Sequence, residues 1–425
     1  MEYEVRHSAG KFWIAIACFG LTAAYFSLVT ARYLADYFSA SSDESGLMLA
    51  ARLDSGNAVY AHNIGRIELL ARSSPQSALS WLETATRLDP HKANYWIDLA
   101  LARQALGATD LERQDLFRAL AAAPRTPDIA WQVANLFLAQ GSPDDSMRAF
   151  HLVIENDPSL ANLAIQACWK IHPDPDFLLD NVVPSNADES FLGFLTSRHE
   201  PAAAAKVWAK MYSLQQPISR THVFEYIRDL IAHQQPAQAA LVWQQSATMA
   251  GLAAYQPSSE NLLVNGDFSL EILNGGFDWM HQPPRGVTLA LDPNEAHSSS
   301  RSLRIVFDGA GIEDAGIRQM VAVEPNTSYE FSAFYKASDM DGAGGTRFAI
   351  QDLYRETSFF MSDDLLNADF WKKVGGSFVT GPDTQMIVVR IARVPAGSPI
   401  RGKLWLDGLQ LIPSARIADA ERKLQ

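Results

Sequence analysis

A membrane helix, an α-helical repeat array and an antiparallel β-sandwich, in that order, are what this chain of 425 residues predicts. Three observations carry the prediction. An uncharged apolar run extends from Phe12 to Ala31. Pro90, Pro124 and Pro158 recur at a strict interval of 34 residues. From Asn261 onward the apolar residues switch from helical spacing to strict alternation. The expected divisions are 1–11 as a cytoplasmic amino terminus, 12–31 as the transmembrane helix and 32–56 as a spacer. The repeats occupy 57–250, a linker 251–260, the sandwich 261–413 and a tail 414–425.

Composition narrows the function classes. Hydrophobic residues make up 48% and charged residues 20%, ordinary for folded domains. The net charge of −13, with no block of lysine or arginine, opposes nucleic-acid binding, which needs a basic footprint. Two cysteines, Cys18 and Cys168, are too few for a disulfide framework or a cysteine-based zinc site.

The run Phe12–Ala31 matches the length of an apolar helix crossing a hydrocarbon core of about 30 Å. Phe12 and Trp13 at one end and Tyr33 and Tyr37 past the other suit interfacial aromatic belts. A cleavable signal has a shorter apolar region, of about 7–15 residues. Lipid attachment at Cys18 would need the run to stop there. Arg6 and Lys11 precede the run and Arg32 follows it, so the positive-inside rule puts the amino terminus in the cytoplasm. The expectation is a single-pass protein of the inner (plasma) membrane with its large carboxy-terminal part outside the cytoplasm.

Other positions keep the step of the proline ladder: Gly107 with Gly141, Ala85 with Ala119, Tyr95 with Ile129. A fixed period of this length marks units that cannot bury their apolar face alone. The first unit supplies Ala78, Leu82 and Ala85, the second Leu99, Ala100, Leu116 and Ala119, the third Val133, Ala134, Phe137 and Phe150. Alanine lets two helix backbones approach, glycine takes the turn, and proline stops the second helix. This set resembles tetratricopeptide repeats, with Glu112 and Ser146 standing where that family usually has alanine. The resemblance implies a surface that docks a protein partner. After HPDPDF (His172–Phe177) a looser echo follows, PAAAAKVW from Pro201 and PAQAALVW from Pro236, with proline at the first helical turn. Trp96, Trp131, Trp169, Trp208 and Trp243 are expected in the helix core, and His62, His151 and His222 on the surface.

In the carboxy-terminal part, Leu303, Ile305 and Phe307 alternate with polar or smaller residues, as do Tyr329, Phe331, Ala333 and Tyr335, and Ile387, Val389 and Ile391. Eight to ten short strands separated by Gly, Pro, Asn and Asp turns argue for a sandwich. The succession NLLVNGDFS (Asn261–Ser269), GGFDW (Gly275–Trp279), HSSSRSLRIVF (His297–Phe307), FWKKVGGSFVT (Phe370–Thr380) and LWLDGLQLIP (Leu404–Pro413) is more specific. It resembles the jelly-roll carbohydrate-binding modules of the galactose-binding-like superfamily. That resemblance implies a glycan ligand and a structural calcium, with Asp267 and Asp407 at the matching positions; no other cofactor is implied. Sugar binding needs aromatic faces and a few polar groups. The aromatic candidates are Trp279, Tyr354 and Trp371; the polar ones are Arg347, Gln351, Asp352 and Arg390. Phe359 and Phe360 add apolar surface in a loop, and Trp405 is expected in the core.

No phosphate-binding glycine loop, paired metal-binding histidines or GxSxG turn occurs. Adjacent carboxylates such as Asp144–Asp145 and Asp363–Asp364 point different ways. The sequence therefore reads as a non-enzymatic, membrane-anchored scaffold that docks a protein and binds a polysaccharide, in surface polysaccharide assembly or export. A purely protein-binding scaffold with the sandwich as a docking or spacer module, and a glycan hydrolase, are the alternatives.

Overall fold

A computed structural model describes residues 2–40 and 44–414. Of the tail expected at 414–425, all but Ser414 lies outside the described residues, as do residues 41–43 of the expected spacer. Two compact units divide the chain, one ending at Ser190 and one beginning at Phe191.

The first unit opens with α1 (Glu2–Ser39), which is longer than the apolar run that nucleates it. From Phe12 to Ser39 it is long and apolar enough to cross a membrane, 28 residues or about 42 Å. Its apolar stretch is not buried against the protein. Such a helix suits a membrane span or a signal sequence. The expected spacer is largely helical. Glu44–Leu53 forms α2, because Leu47 and Ala50 share a face that packs with Ala35, Tyr60 and Ile64. The Tyr60 hydroxyl donates to the Asp36 carboxylate, tying the end of α1 to the first repeat.

The repeats are helix pairs. α3 (Ala58–Arg66) extends through one π-turn, Ile67–Ala71, and pairs with α4 (Pro75–Leu88). α5 (Ala93–Ala105) pairs with α6 (Thr109–Ala122), and α7 (Pro127–Ala139) with α8 (Pro143–Asn156). α9 (Ala161–Ile171) and a short α10 (Pro175–Asn181) follow, with His172–Asp174 of HPDPDF between them and its Pro175 opening α10. Every packing position read from the 34-residue period, from Ala78 to Phe150, is buried. Gly107 and Gly141 hold φ of +73° and +79° in the turns inside their pairs, a conformation that a β-carbon disfavours. Glu112 and Ser146 are buried as the alanines they replace would be. His62 departs from expectation. It is 8% exposed and lies 2.6 Å from Asp98, a carboxylate on the next pair that lets the ring be buried. Trp96, Trp131 and Trp169 are half-buried, and Trp96 donates to the Pro90 carbonyl at 2.8 Å.

Across the division at Ser190 runs α11 (Asp188–Ser197); α12 (Pro201–Ser213) follows it, and α13 (Arg220–Ala232) packs on α14 (Pro236–Met249). Pro201 and Pro236 stand at the first turns of α12 and α14, where their missing N–H costs nothing. Trp208 and Trp243 are core residues at 1% and 2% exposure. Each satisfies its indole N–H, Trp208 on Gln245 Oε1 at 2.6 Å and Trp243 on the Tyr255 carbonyl at 3.0 Å.

Ten strands follow: β1 (Met280–His281), β2 (Val287–Asp292), β3 (Ser302–Gly311), β4 (Asp314–Ala322) and β5 (Ser328–Asp341). β6 (Gly345–Asp352), β7 (Ser358–Met361), β8 (Ala368–Val379), β9 (Met386–Val394) and β10 (Pro399–Pro413) complete them. They form two antiparallel five-stranded sheets, β1-β4-β9-β6-β7 and β2-β3-β10-β5-β8. The alternating residues of β3, β5 and β9 named above all enter the core between the sheets. The opening motif lies against β10. Leu262 N–H donates to the Leu411 carbonyl, and the Asn261 side chain bonds both Leu409 and Leu411.

Residues 251–260 are packed against both neighbours. Leu252 and Tyr255 are buried, the Tyr255 hydroxyl donates to the Glu271 carbonyl at 2.9 Å, and Gln256 Nε2 donates to the Trp243 carbonyl. Gly275 and Gly276 bring the GGFDW loop against the rings of Phe224 and Trp243. The last helix pair and the sandwich therefore share one packed joint.

Candidate glycan-binding face

Alternation on β9 decides where the polar candidates go. Ile387, Val389 and Ile391 point into the core, so Arg390 points away from it. On β6, Phe348 and Ile350 are the core residues, which turns Arg347 and Gln351 to the same outer face. Arg390 pairs in register with Arg318 on β4 and with Ala349 on β6. The outer face of the first sheet thus collects side chains from three strands.

Arg390 is the hub. Its Nη1 donates to Asp314 Oδ2 and its Nη2 to Gln351 Oε1, both at 3.2 Å. Its Nε is buried with no partner among the described residues. Burial pushes the Asp314 carboxyl up, against the opposing pull of Arg390 and Arg318. Arg347 is committed to Asp364, Nε to Oδ1 at 2.8 Å. Beside the hub a cleft of about 750 Å³ opens, lined by Asn274, His281, Gln282, Glu313, Asp314, Arg318 and Arg390. Its size is that of a small-molecule site, and its lining mixes these polar groups with apolar ones, Met280, Pro284 and Ile312. Such a lining can bond to vicinal hydroxyls.

The other candidates are placed differently. Trp279 is 2% exposed with its ring beside Phe268 and its N–H on the Asn265 carbonyl, so it offers no face to a sugar. Asp352 is 3% exposed and caps a turn, accepting from Tyr354 N, Arg355 N and Thr384 Oγ1. Tyr354 donates its hydroxyl to the Ile231 carbonyl of α13 at 3.0 Å. Trp371 lies on β8, in the other sheet, half-buried beside His297, whose ring stacks on Phe334 at 3.7 Å. The three aromatics are not brought together. Phe359 and Phe360, on β7, pack on the core, and Trp405 is buried with its N–H on Asp292. Sequence reasoning missed Asp314, Arg318, His281 and Glu313. The Glu-Asp pair lies in what reads as a glycine-rich turn, and only strand pairing sets it beside Arg390.

Asp407 is fully buried and accepts from His297 N, Ser298 N, Ser298 Oγ and Gly408 N, at 2.5–2.9 Å. Those hydrogens occupy the directions in which a cation would be coordinated. Asp267 Oδ1 accepts from Ser269, and its carbonyl accepts from Ser299. As arranged, the two residues do not fit a shared calcium ion, which needs free oxygen lone pairs.

Paired helices on a 34-residue period, then two antiparallel sheets with a common core, decide the architecture. The chain is a tetratricopeptide-type helical array carrying a jelly-roll β-sandwich. No family profile matches the chain and no curated protein does. Among solved structures, a module described as CBM4 is similar at 15% identity and a TM-score of 0.28, covering 36% of this chain and 99% of its own. A tetratricopeptide repeat protein from Parabacteroides merdae is similar at 16% identity and a TM-score of 0.29, covering 52% and 93%. The protein MamA is similar at 16% identity and a TM-score of 0.29, covering 36% and 87%. These likenesses concern fold alone.

Proposed function

We propose that this protein is a non-catalytic, membrane-anchored scaffold whose helical array docks a protein partner and whose sandwich binds a glycan. The observation that carries the glycan half is the polar cleft around Arg390 on the outer face of the first sheet. Arg390 held between Asp314 and Gln351, with Arg318 and Glu313 beside it in the lining, offers donors and acceptors for hydroxyl recognition. The cleft has no tryptophan or tyrosine in its lining. The recognition is therefore polar rather than by stacking, and suits a sugar carrying charged or densely hydroxylated rings. Helix α1 supplies the anchor, and the chain that follows it stands outside the cytoplasm. Assembly or export of a surface polysaccharide is the setting that combines these parts.

Calorimetric titration of the full-length protein in detergent with a panel of neutral and acidic oligosaccharides tests the reading. Binding that disappears in Asp314→Ala supports it; absence of binding to every member of the panel contradicts it. A second reading has one observation in its favour. Tyr354 and the Gly275–Gly276 loop are spent on helices α13 and α14, as befits a sandwich that serves as a docking or spacer module. Under that reading wild type and Asp314→Ala alike retain no oligosaccharide of the panel.

A further inference from the structure

The second unit holds a cluster that the glycan-binding proposal does not use. His199, Asp229 and His233 each bring a potential ligand atom within 4.8 Å of the other two. Asp229 and His233 lie four residues apart at the carboxy-terminal end of α13, which puts them on one face. His199 comes from the turn between α11 and α12, where it holds φ of +59°. Gly107 and Gly141 take such a conformation in two turns of the first unit, and Ser73 in a third at φ of +52°. A histidine there bears a conformational cost that glycine avoids.

Its contacts show what it reaches. His199 Nδ1 is 2.7 Å from Asp229 Oδ1; His233 Nδ1 bonds the Asp229 backbone carbonyl at 2.8 Å and lies 3.4 Å from Oδ1, which leaves its Nε2 as the ligand atom. An ionised carboxylate cannot donate, so the shared hydrogen of the shorter contact belongs to the imidazole. The Asp229 side chain is only 4% exposed, yet its Oδ2 has no hydrogen-bond partner among the described residues. The buried Tyr226 hydroxyl, one turn earlier on α13, also has none. A buried carboxylate oxygen without a partner is costly, and a cation would remove that cost.

Two imidazoles and one carboxylate make the donor set of a borderline divalent metal rather than of calcium or magnesium, which prefer oxygen alone. We propose that His199, Asp229 and His233 bind one Zn²⁺ ion, with the remaining coordination position open to water or an external ligand. The ion takes the place of the hydrogen now shared by His199 and Asp229. It fastens the α11–α12 turn to the last turn of α13. Two residues before His233, the Ile231 carbonyl receives the Tyr354 hydroxyl of the sandwich. The metal therefore stiffens the helix end on which the sandwich is held.

Full-length protein without an affinity tag, in detergent, is stripped with a chelator, dialysed and titrated with ZnCl₂ by calorimetry; elemental analysis gives the stoichiometry. The expected result is about one ion per chain, with a thermal midpoint that rises on zinc addition and falls back with chelator. His199→Ala removes a side chain that is 69% exposed and so leaves the fold intact. It weakens binding by about tenfold or more, and the His199→Ala/His233→Ala double variant loses binding. Cobalt substitution gives a visible absorption band in the wild type that is absent from the double variant. No zinc uptake by the wild type, or equal uptake by the double variant, overturns the proposal.

Discussion

Gly276→Ala is the sharpest probe of the joint between the last helix pair and the sandwich. A β-carbon at Gly276 falls 2.2 Å from Cζ3 of Trp243 and 2.8 Å from two more ring carbons. The ring cannot swing aside, because it is 2% exposed and its N–H is fixed on the Tyr255 carbonyl. Gly276 also holds φ of +62°. Left-handed backbone costs alanine about 1–2 kcal/mol, and overpacking a filled core adds about 1–3 kcal/mol. The sum is about 2–5 kcal/mol. Gly107→Ala is the control, since its φ is +73° but nothing lies within 4 Å of the added carbon; it costs only the backbone share, about 1–2 kcal/mol. Hydrogen exchange read by mass spectrometry on the full-length protein resolves the two locally. Gly276→Ala speeds exchange across residues 236–256 by about thirtyfold or more, at 1.4 kcal/mol per tenfold. Gly107→Ala acts only within the first unit, by about tenfold. If Gly276→Ala leaves α14 as protected as in the wild type, the packed joint is not there.

Three further outcomes follow from the sandwich. Phe331 is fully buried between the sheets, so Phe331→Ala costs about 3–5 kcal/mol in chemical denaturation; a loss below about 1 kcal/mol would contradict the core assignment. Burial pushes the Asp278 carboxyl up to about 6. The folded protein then holds that proton more tightly than the unfolded chain, and ionising it costs stability as pH rises from about 4 through 6. Asp278→Asn therefore raises the thermal midpoint at pH 7.5, by at most about 3 kcal/mol in stability, and the advantage fades below pH 4; a midpoint that falls at pH 7.5 refutes the assignment. Tyr354→Phe removes the hydroxyl bond to Ile231 and lowers protection at residues 226–236 by about 1 kcal/mol; unchanged protection there denies the bond.

What the sequence made legible was local. A proline at a first helical turn and a glycine in a left-handed turn are visible one residue at a time, so the period located the paired helices and their buried alanines. Alternation did the same for β3, β5 and β9. What stayed hidden depends on partners distant in sequence. His62 reads as a surface residue until Asp98, on the next helix pair, reaches it at 2.6 Å. Trp279 looks like a stacking face until Phe268 covers it, and Tyr354 until α13 takes its hydroxyl. Arg390 was singled out in its strand, but Asp314 was not, because 76 residues separate the two and only the β4–β9 register joins them. The apolar run gave the start of α1 its identity but not its end, since the helix continues through residues 32–39, where Ala35 packs with Leu47, Ala50, Tyr60 and Ile64.

The claim at the centre of this account is that the Arg390 cleft holds a glycan. Calorimetry of wild type and Arg390→Ala, side by side, against whichever oligosaccharide the panel shows to bind best, tests it most directly. Arg390→Ala removes both charge-assisted bonds that set Asp314 and Gln351, so affinity falls by about tenfold or more, while the thermal midpoint stays within a few degrees. Glycan affinity unchanged in Arg390→Ala would place the ligand elsewhere and contradict the account.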